Sequence, residues 1–209
     1  MDFSLWLAFV AASTALLLIP GPTILLVLSY ALSQGRKVAV ATASGVALGD
    51  LIAMSASLAG LGAIVLASAQ VFLVLKWLGA AYLVYMGFQL LRSAKGAKLG
   101  GLQQTDDLTA RACFTNATIV TALNPKSIVF FIAFVPQFID PSAALLPQFA
   151  ILISTFVGLA TLNALAYALL ADKMRSKMQR PAVIVWLTRA GGAALVAMGI
   201  ATAAVRRTV

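Results

Sequence analysis

Residues 18–24 read Leu18-Ile19-Pro20-Gly21-Pro22-Thr23-Ile24 and interrupt an apolar run that continues to Tyr30. Proline removes a backbone N–H and its ring clashes with the preceding turn, so it breaks or kinks a helix interior. Glycine between two prolines weakens the helix further, by about 1 kcal/mol relative to alanine. In hydrocarbon the carbonyls freed by such a break cannot turn to water. Broken backbone there survives only inside protein or along a wet cavity. If the flanking run spans a membrane, the interruption therefore predicts a buried polar site.

Composition says that it does. Of 209 residues, 62% are hydrophobic and only 10% charged, against roughly 45–50% and about 25% in soluble domains. Apolar stretches long enough to cross a bilayer recur along the chain. Six segments emerge, near 4–32, 38–66, 70–92, 112–139, 145–171 and 183–205. The polar connections between them are Gln34 to Lys37, Ser93 to Ala110, Asp140-Pro141-Ser142, and Asp172 to Pro181. The only early charge is Asp2, and a signal peptide wants a positive start. The first segment is therefore expected to be a retained helix.

The net charge of +9 does not indicate a nucleic-acid partner, because the basic residues sit in short clusters between apolar runs rather than on one solvated face. Odd-numbered connections carry ten of them, from Arg36 and Lys37 to Lys177 and Arg180, against Arg206 and Arg207 on the other side. The positive-inside rule places the odd connections in the cytoplasm, and six spans then place both termini outside. One cysteine, Cys113, and no histidine exclude an internal disulfide, imidazole bases and Cys/His metal sites. Cys113 reads as a small helix residue.

The expected fold is an all-α integral membrane protein of six transmembrane helices in one domain, residues 1–209. Repeat one covers about 1–93, a cytoplasmic loop about 94–110, and repeat two about 111–209. Each half has an odd number of spans, so the halves enter the membrane from opposite sides, as inverted repeats do. Each half also opens with a proline-broken helix, at Pro20-Gly21-Pro22 and at Asn124-Pro125-Lys126. Interrupted spans at matching places point to a midplane binding site.

The half-helix after each break presents N–H groups and a positive dipole end, which favour an anion such as a carboxylate. Pro22-Thr23-Ile24 and Pro125-Lys126-Ser127 are thus two candidate anion cradles. Asp50 lies near the centre of the second segment, where a charge costs at least ~2.5–3.5 kcal/mol. It reads as a proton or substrate carrier, or alternatively as a fixed partner of a buried lysine. Lys126 reads as a carboxylate ligand, as the counter-charge of Asp50, or as that structural partner. Asn124 either bonds the carbonyls freed by Pro125 or touches substrate. Asn116 and Asn163 read as interhelical glue. Lys76 and Arg189 are expected to snorkel, and Trp6, Trp77 and Trp186 to mark the interfaces. Ala41, Gly45, Gly49, Ala53 and Ser57, four apart, form a small-residue stripe for close helix packing, within the chain or at a dimer seam. Gly191, Gly192 and Gly199 are its candidate counterpart.

Together Pro20-Gly21-Pro22, GVALGD (45–50), KWLGAAYLVYMG (76–87) and NPKSIVFFIAFVPQFI (124–139) resemble the lysine exporter / threonine–homoserine efflux (LysE/RhtB) family, in order and spacing over essentially the whole chain. The resemblance implies a bacterial inner-membrane exporter of amino acids or close metabolites, driven by the proton gradient, with no cofactor and compatible with a homodimer. It carries over Pro20, Gly21, Pro22, Asp50, Asn124, Pro125 and Lys126 as motif positions. The residues themselves add Thr23 as a substrate-binding candidate. One buried acid and one buried base nearly cancel, which favours a neutral, zwitterionic amino acid. The alternatives are an exporter of another small solute or of a metal ion, an intramembrane Ser–Lys enzyme using Lys126, and a scaffold that transports nothing.

Overall fold

The structure, a computed structural model, describes residues 2–19, 21–34, 38–67, 69–93, 108–140, 142–178 and 181–204. Within these, the side chains of residues 32–33, 61–69, 71–72, 75–76, 90, 93, 172–184 and 187 are left undescribed. Pro20 and Arg36, Lys37, Lys95, Lys98, Pro141, Arg180, Arg206 and Arg207 lie outside the described residues, as does the Lys76 side chain.

The described residues are helical throughout their long elements: α1 (Phe3–Leu18), α2 (Pro22–Gln34), α3 (Ala39–Ala67), α4 (Ala69–Ser93), α5 (Ala110–Ala122), α6 (Pro125–Val129), α7 (Leu145–Met178) and α8 (Pro181–Ala204). Asp2 caps α1; its carboxylate accepts from the Ser4 N–H and hydroxyl, and these bonds hold it below the usual carboxylate range. Thr109 caps α5 by accepting from Ala112 N–H.

Two helical stretches, Ala39–Gly60 and Leu145–Ala171, are long and apolar enough to cross a membrane on their own. Two more qualify as bent pairs: Phe3–Leu18 with Pro22–Ala31, bent by 59°, and Ala110–Ala122 with Pro125–Phe138, bent by 41°. The two breaks thus fall where the prolines predict them. Beyond the second break the backbone stays irregular. A π turn, Phe130–Phe134, follows α6 and runs into a 3₁₀ turn, Val135–Phe138. Buried rings hold this stretch in place. Phe131 meets Phe156 of α7 edge-on with centroids 4.8 Å apart, and Phe9 of α1 meets Phe138 at 5.3 Å.

The connection expected at 172–181 is shorter in the structure, because α7 stays helical through Met178 and α8 starts at Pro181. Lys, Met and Arg are good helix formers, so polarity there ends the apolar stretch without ending the helix. Pro181 at the first helical position needs no N–H. At the other end of α7, buried Gln148 clamps the turn after the broken span. Its Nε2 donates to the carbonyls of Asp140 and Ala144, and its Oε1 accepts from Asp140 N–H.

The small-residue stripe of α3 packs inside the chain. A Cβ on Gly45 would strike the Phe114 carbonyl oxygen, and one on Gly49 would lie 2.7 Å from both the Thr118 carbonyl and Thr121 Cβ. Only glycine lets α3 and α5 approach this closely. Gly192 and Gly199 of α8 do the same against α4, where a Cβ would come 2.7 Å from the carbonyls of Gly87 and Ala80 respectively. Gly191 instead receives the Ile19 side chain. Trp77 and Trp186 are exposed, as interfacial anchors should be, whereas Trp6 is half-buried and donates from its indole to Thr155 Oγ1 at 3.0 Å. Arg189 is exposed and Cys113 buried.

Candidate functional site

Proline chemistry creates two broken helix ends, and the fold brings them into direct contact. Thr23, in the first turn of α2, accepts a hydrogen bond from Asn124 Nδ2 at 3.1 Å and from Thr121 Oγ1 at 3.4 Å. Thr23, Thr121 and Asn124 are all buried. The contact links residues 101 apart in sequence, so it is a tertiary join between the two halves.

Around this join lies a small hollow lined by Gly21, Thr23, Asp50, Asn124, Lys126 and Ser127, with Leu16, Leu17 and Asn163 also in its wall. The structure therefore gathers Thr23, Asp50 and Lys126 from three helices, α2, α3 and α6, and Gly21 and Asn124 from the two breaks. Pro22 and Pro125, which open α2 and α6, shape the two helix ends beside it.

The last turn of α1 should leave four carbonyls without an intrahelical partner. Ile19 N–H closes back on Leu16 O at 3.2 Å, and side chains from the second half of the chain reach all four. Lys126 Nζ donates to Leu16 O at 3.2 Å and to Ile19 O at 3.0 Å. Asn163 Nδ2 donates to Leu17 O at 3.1 Å, and the Tyr167 hydroxyl to Leu18 O at 3.4 Å. A cation at a helix C-terminus also meets the negative end of the helix dipole. Lys126 thus serves the first break rather than the second, and Asn163 is interhelical glue of a particular kind.

Gly21 makes room for this arrangement. A Cβ there would lie 3.2 Å from Lys126 Nζ and 3.4 Å from its Cε. The lysine stem runs directly over the glycine between the two prolines.

The second break is repaired locally. Asn124 is the N-cap of α6, and its Oδ1 accepts from Lys126 N–H at 3.1 Å. The expected bond from Asn124 to the carbonyls freed by Pro125 is not what forms. Its acceptor end caps the next half-helix, and its donor end crosses to Thr23. Upstream, Leu123 N–H and Asn124 N–H bond back to Ile119 O and Thr121 O. Asn116 Nδ2 donates to Tyr30 Oη at 2.9 Å, tying α5 to α2.

Asp50 is 2% exposed. Among the described residues its carboxyl has no hydrogen bond and no ion pair within 4.0 Å. A fixed Asp50–Lys126 pair, one of the sequence expectations, is therefore not formed; the two charges share the hollow while the lysine points elsewhere. Such a carboxyl is expensive to keep charged without a partner, a cost that protonation or a nearby cation would relieve.

A bent pair of helix ends around a polar hollow is transporter architecture, and the chain as a whole matches one family. Residues 14–205 match the model of the LysE type translocator. The chain belongs to the LysE family. It is 35% identical over 209 residues to the homoserine/homoserine lactone efflux protein of Salmonella typhimurium, covering 99% of each chain. The corresponding protein of Salmonella typhi is 34% identical over the same length and coverage. A membrane protein of Vibrio cholerae is 32% identical over 200 residues, covering 96% of this chain and 97% of its own. No solved structure matches.

As a LysE translocator the protein is a membrane transporter and not an enzyme. Sequence reasoning read Asn163 as interhelical glue without its partner, and missed the roles of Tyr167 and Thr121. Asn163 carried a signal, being an amide inside a span; Tyr167 and Thr121 carried none that separates them from ordinary helix residues.

Proposed function

We propose that this LysE-family protein exports small amino acids or their close derivatives, homoserine and its lactone first among them, across a bacterial inner membrane in exchange for protons. The observation that carries the reading is the Asn124–Thr23 contact: two proline-broken helices join at a hollow that holds one buried acid and one buried base. The relatives named for homoserine and homoserine lactone efflux supply the solute class. Near-cancellation of Asp50 and Lys126 favours a solute of little net charge.

In this reading the chain is one domain of six spans in two inverted halves, residues 1–93 and 111–209, with both termini outside. Packing supports it. The helices α4 and α8, of 25 and 24 residues, are roughly 37 and 36 Å long at 1.5 Å per residue, enough for a hydrocarbon core of about 30 Å. Inverted halves relate span one to four, two to five and three to six. Each span touches its counterpart: the first broken pair meets the second, α3 meets α7, and α4 meets α8. Exposed large apolar side chains such as Leu73, Leu146, Leu162 and Ile200 would face lipid or a second copy in a homodimer.

Gly21, Pro22, Thr23, Asn124, Pro125 and Lys126, together with Pro20, form the substrate site in this account, and Asp50 carries the proton. Outside, Asp50 is protonated as substrate leaves; inside, it gives the proton to the cytoplasm as substrate loads. The test is uptake of labelled homoserine into inside-out vesicles energised by a proton gradient. The native protein should concentrate the solute, and Asp50→Asn should abolish concentration while still allowing downhill exchange. Undiminished concentrative uptake by the variant removes Asp50 from coupling.

A further inference from the structure

We infer that the Lys126 ammonium occupies the subsite of the substrate's own amino group, so that substrate binds by displacing it. The inference deepens the proposed export function and rests on it for the identity of the solute.

The argument starts from the four carbonyls that end α1. Those of Leu17 and Leu18 are held by an amide and a phenol of α7, on shorter stems than a lysine's. Those of Leu16, which also accepts from Ile19 N–H, and of Ile19 are met instead by a primary ammonium on a flexible four-carbon stem. These two oxygens, at the negative end of a helix and beside the hollow, are an ammonium receptor. The structure shows it filled by an ammonium that belongs to the protein.

The chemistry of the solutes supports the same subsite. Homoserine and homoserine lactone share a primary amino group and a four-carbon skeleton, but the lactone has no free carboxylate. A carrier of both must find its common anchor at nitrogen. Lys126 as a carboxylate ligand, one of the sequence expectations, would serve the acid and fail the lactone. A substrate ammonium on Leu16 O and Ile19 O would repeat the contacts of Nζ and leave the lysine free. Asp50 lines the same hollow with no hydrogen bond or ion pair among the described residues, so the displaced ammonium has a counter-charge to move to. Loading the solute and unloading the proton of Asp50 then become one event.

The experiment measures equilibrium binding of homoserine to purified protein, with competition by two truncated analogues. 3-Aminopropan-1-ol keeps the amine and lacks the carboxylate; 4-hydroxybutanoate keeps the carboxylate and lacks the amine. On the native protein the amine should compete and the acid should not; the reverse overturns the inference. Lys126→Met removes the tethered competitor. If the free subsite is exposed about a tenth of the time in the native protein, the apparent Kd should fall about tenfold. A Kd that rises or stays the same overturns the inference.

The variant leaves Asp50 without a counter-charge, so Asp50→Asn/Lys126→Met, neutral at both positions, is measured beside it and should also bind the amine more tightly than Asp50→Asn alone. Gly21→Ala, which crowds the stem without removing the amine, should shift the Kd in the same direction by a smaller factor. If the native protein neither binds nor moves homoserine or its lactone, the substrate assignment fails. The subsite is then judged on 3-aminopropan-1-ol alone: tighter binding by Lys126→Met than by native protein sustains it, and weaker or absent binding sinks it.

Discussion

The break at residues 19–22 and the break at residues 123–125 have one cause, a proline, and differ in what repairs them. The second mends itself: Asn124 caps the half-helix that follows, and Leu123 and Asn124 close the turn before it. At the first, Ile19 N–H closes back on Leu16 O, but the side chains that meet its carbonyls, Lys126, Asn163 and Tyr167, lie at least 107 residues away in sequence. A self-capped end is a rigid part. An end capped by distant side chains can exchange one cap for another, and the cap with the longest reach is a lysine. The pair therefore divides into a fixed jaw and an adjustable one.

This division can be broken experimentally, beginning with the fixed jaw. Gly49→Ala would drive a methyl into the backbone of α5 at Thr118 and Ala122, beside the second break. Overpacking against backbone that cannot step aside should cost about 1–3 kcal/mol, read as a lowered unfolding midpoint in detergent. Native stability would show that α3 and α5 are not held as closely as the structure has them. Asn124→Ala removes the cap of α6 and the bond to Thr23, an expected loss of about 1–2 kcal/mol in the same assay, with transport falling in parallel.

The adjustable jaw should behave differently. Asn163→Leu strips one donor from Leu17 O, and polar pairs between membrane helices average about 0.6 kcal/mol. The stability loss should be small while the initial rate of solute exchange changes more. Tyr167→Phe deletes a bond already stretched to 3.4 Å; a shift below about 0.5 kcal/mol is expected. Should the two changes in α7 cost as much stability as the two at the second break, the contrast between the jaws disappears.

How much of this could be read from the chain follows from the range of the physics involved. Proline acts on its own turn, so both breaks were legible at their correct positions. Asp50 was legible because a charge amid apolar residues needs a reason. The direction of the Lys126 side chain was not, since it is decided by a helix end contributed from the opposite half of the molecule. The three readings open for that lysine all lay within the second half or across to Asp50. The π turn at Phe130–Phe134 has no local breaker to announce it; Pro136, six residues after its first phenylalanine, marks only the 3₁₀ turn. The helical extension to Met178 was hidden because hydropathy ends with the apolar stretch and helix propensity does not.

The repair of α1 by later residues also orders the protein's birth. When the ribosome has finished α4, the carbonyls of Leu17 to Ile19 are already made, and their donors at 126, 163 and 167 are not. The first span cannot settle deep in lipid with those oxygens bare. It must wait, sheltered by the insertion machinery or lying shallow among headgroups, until the second half is threaded in. A fragment ending after α4 should accordingly be a poor membrane resident and a ready target for quality-control proteases.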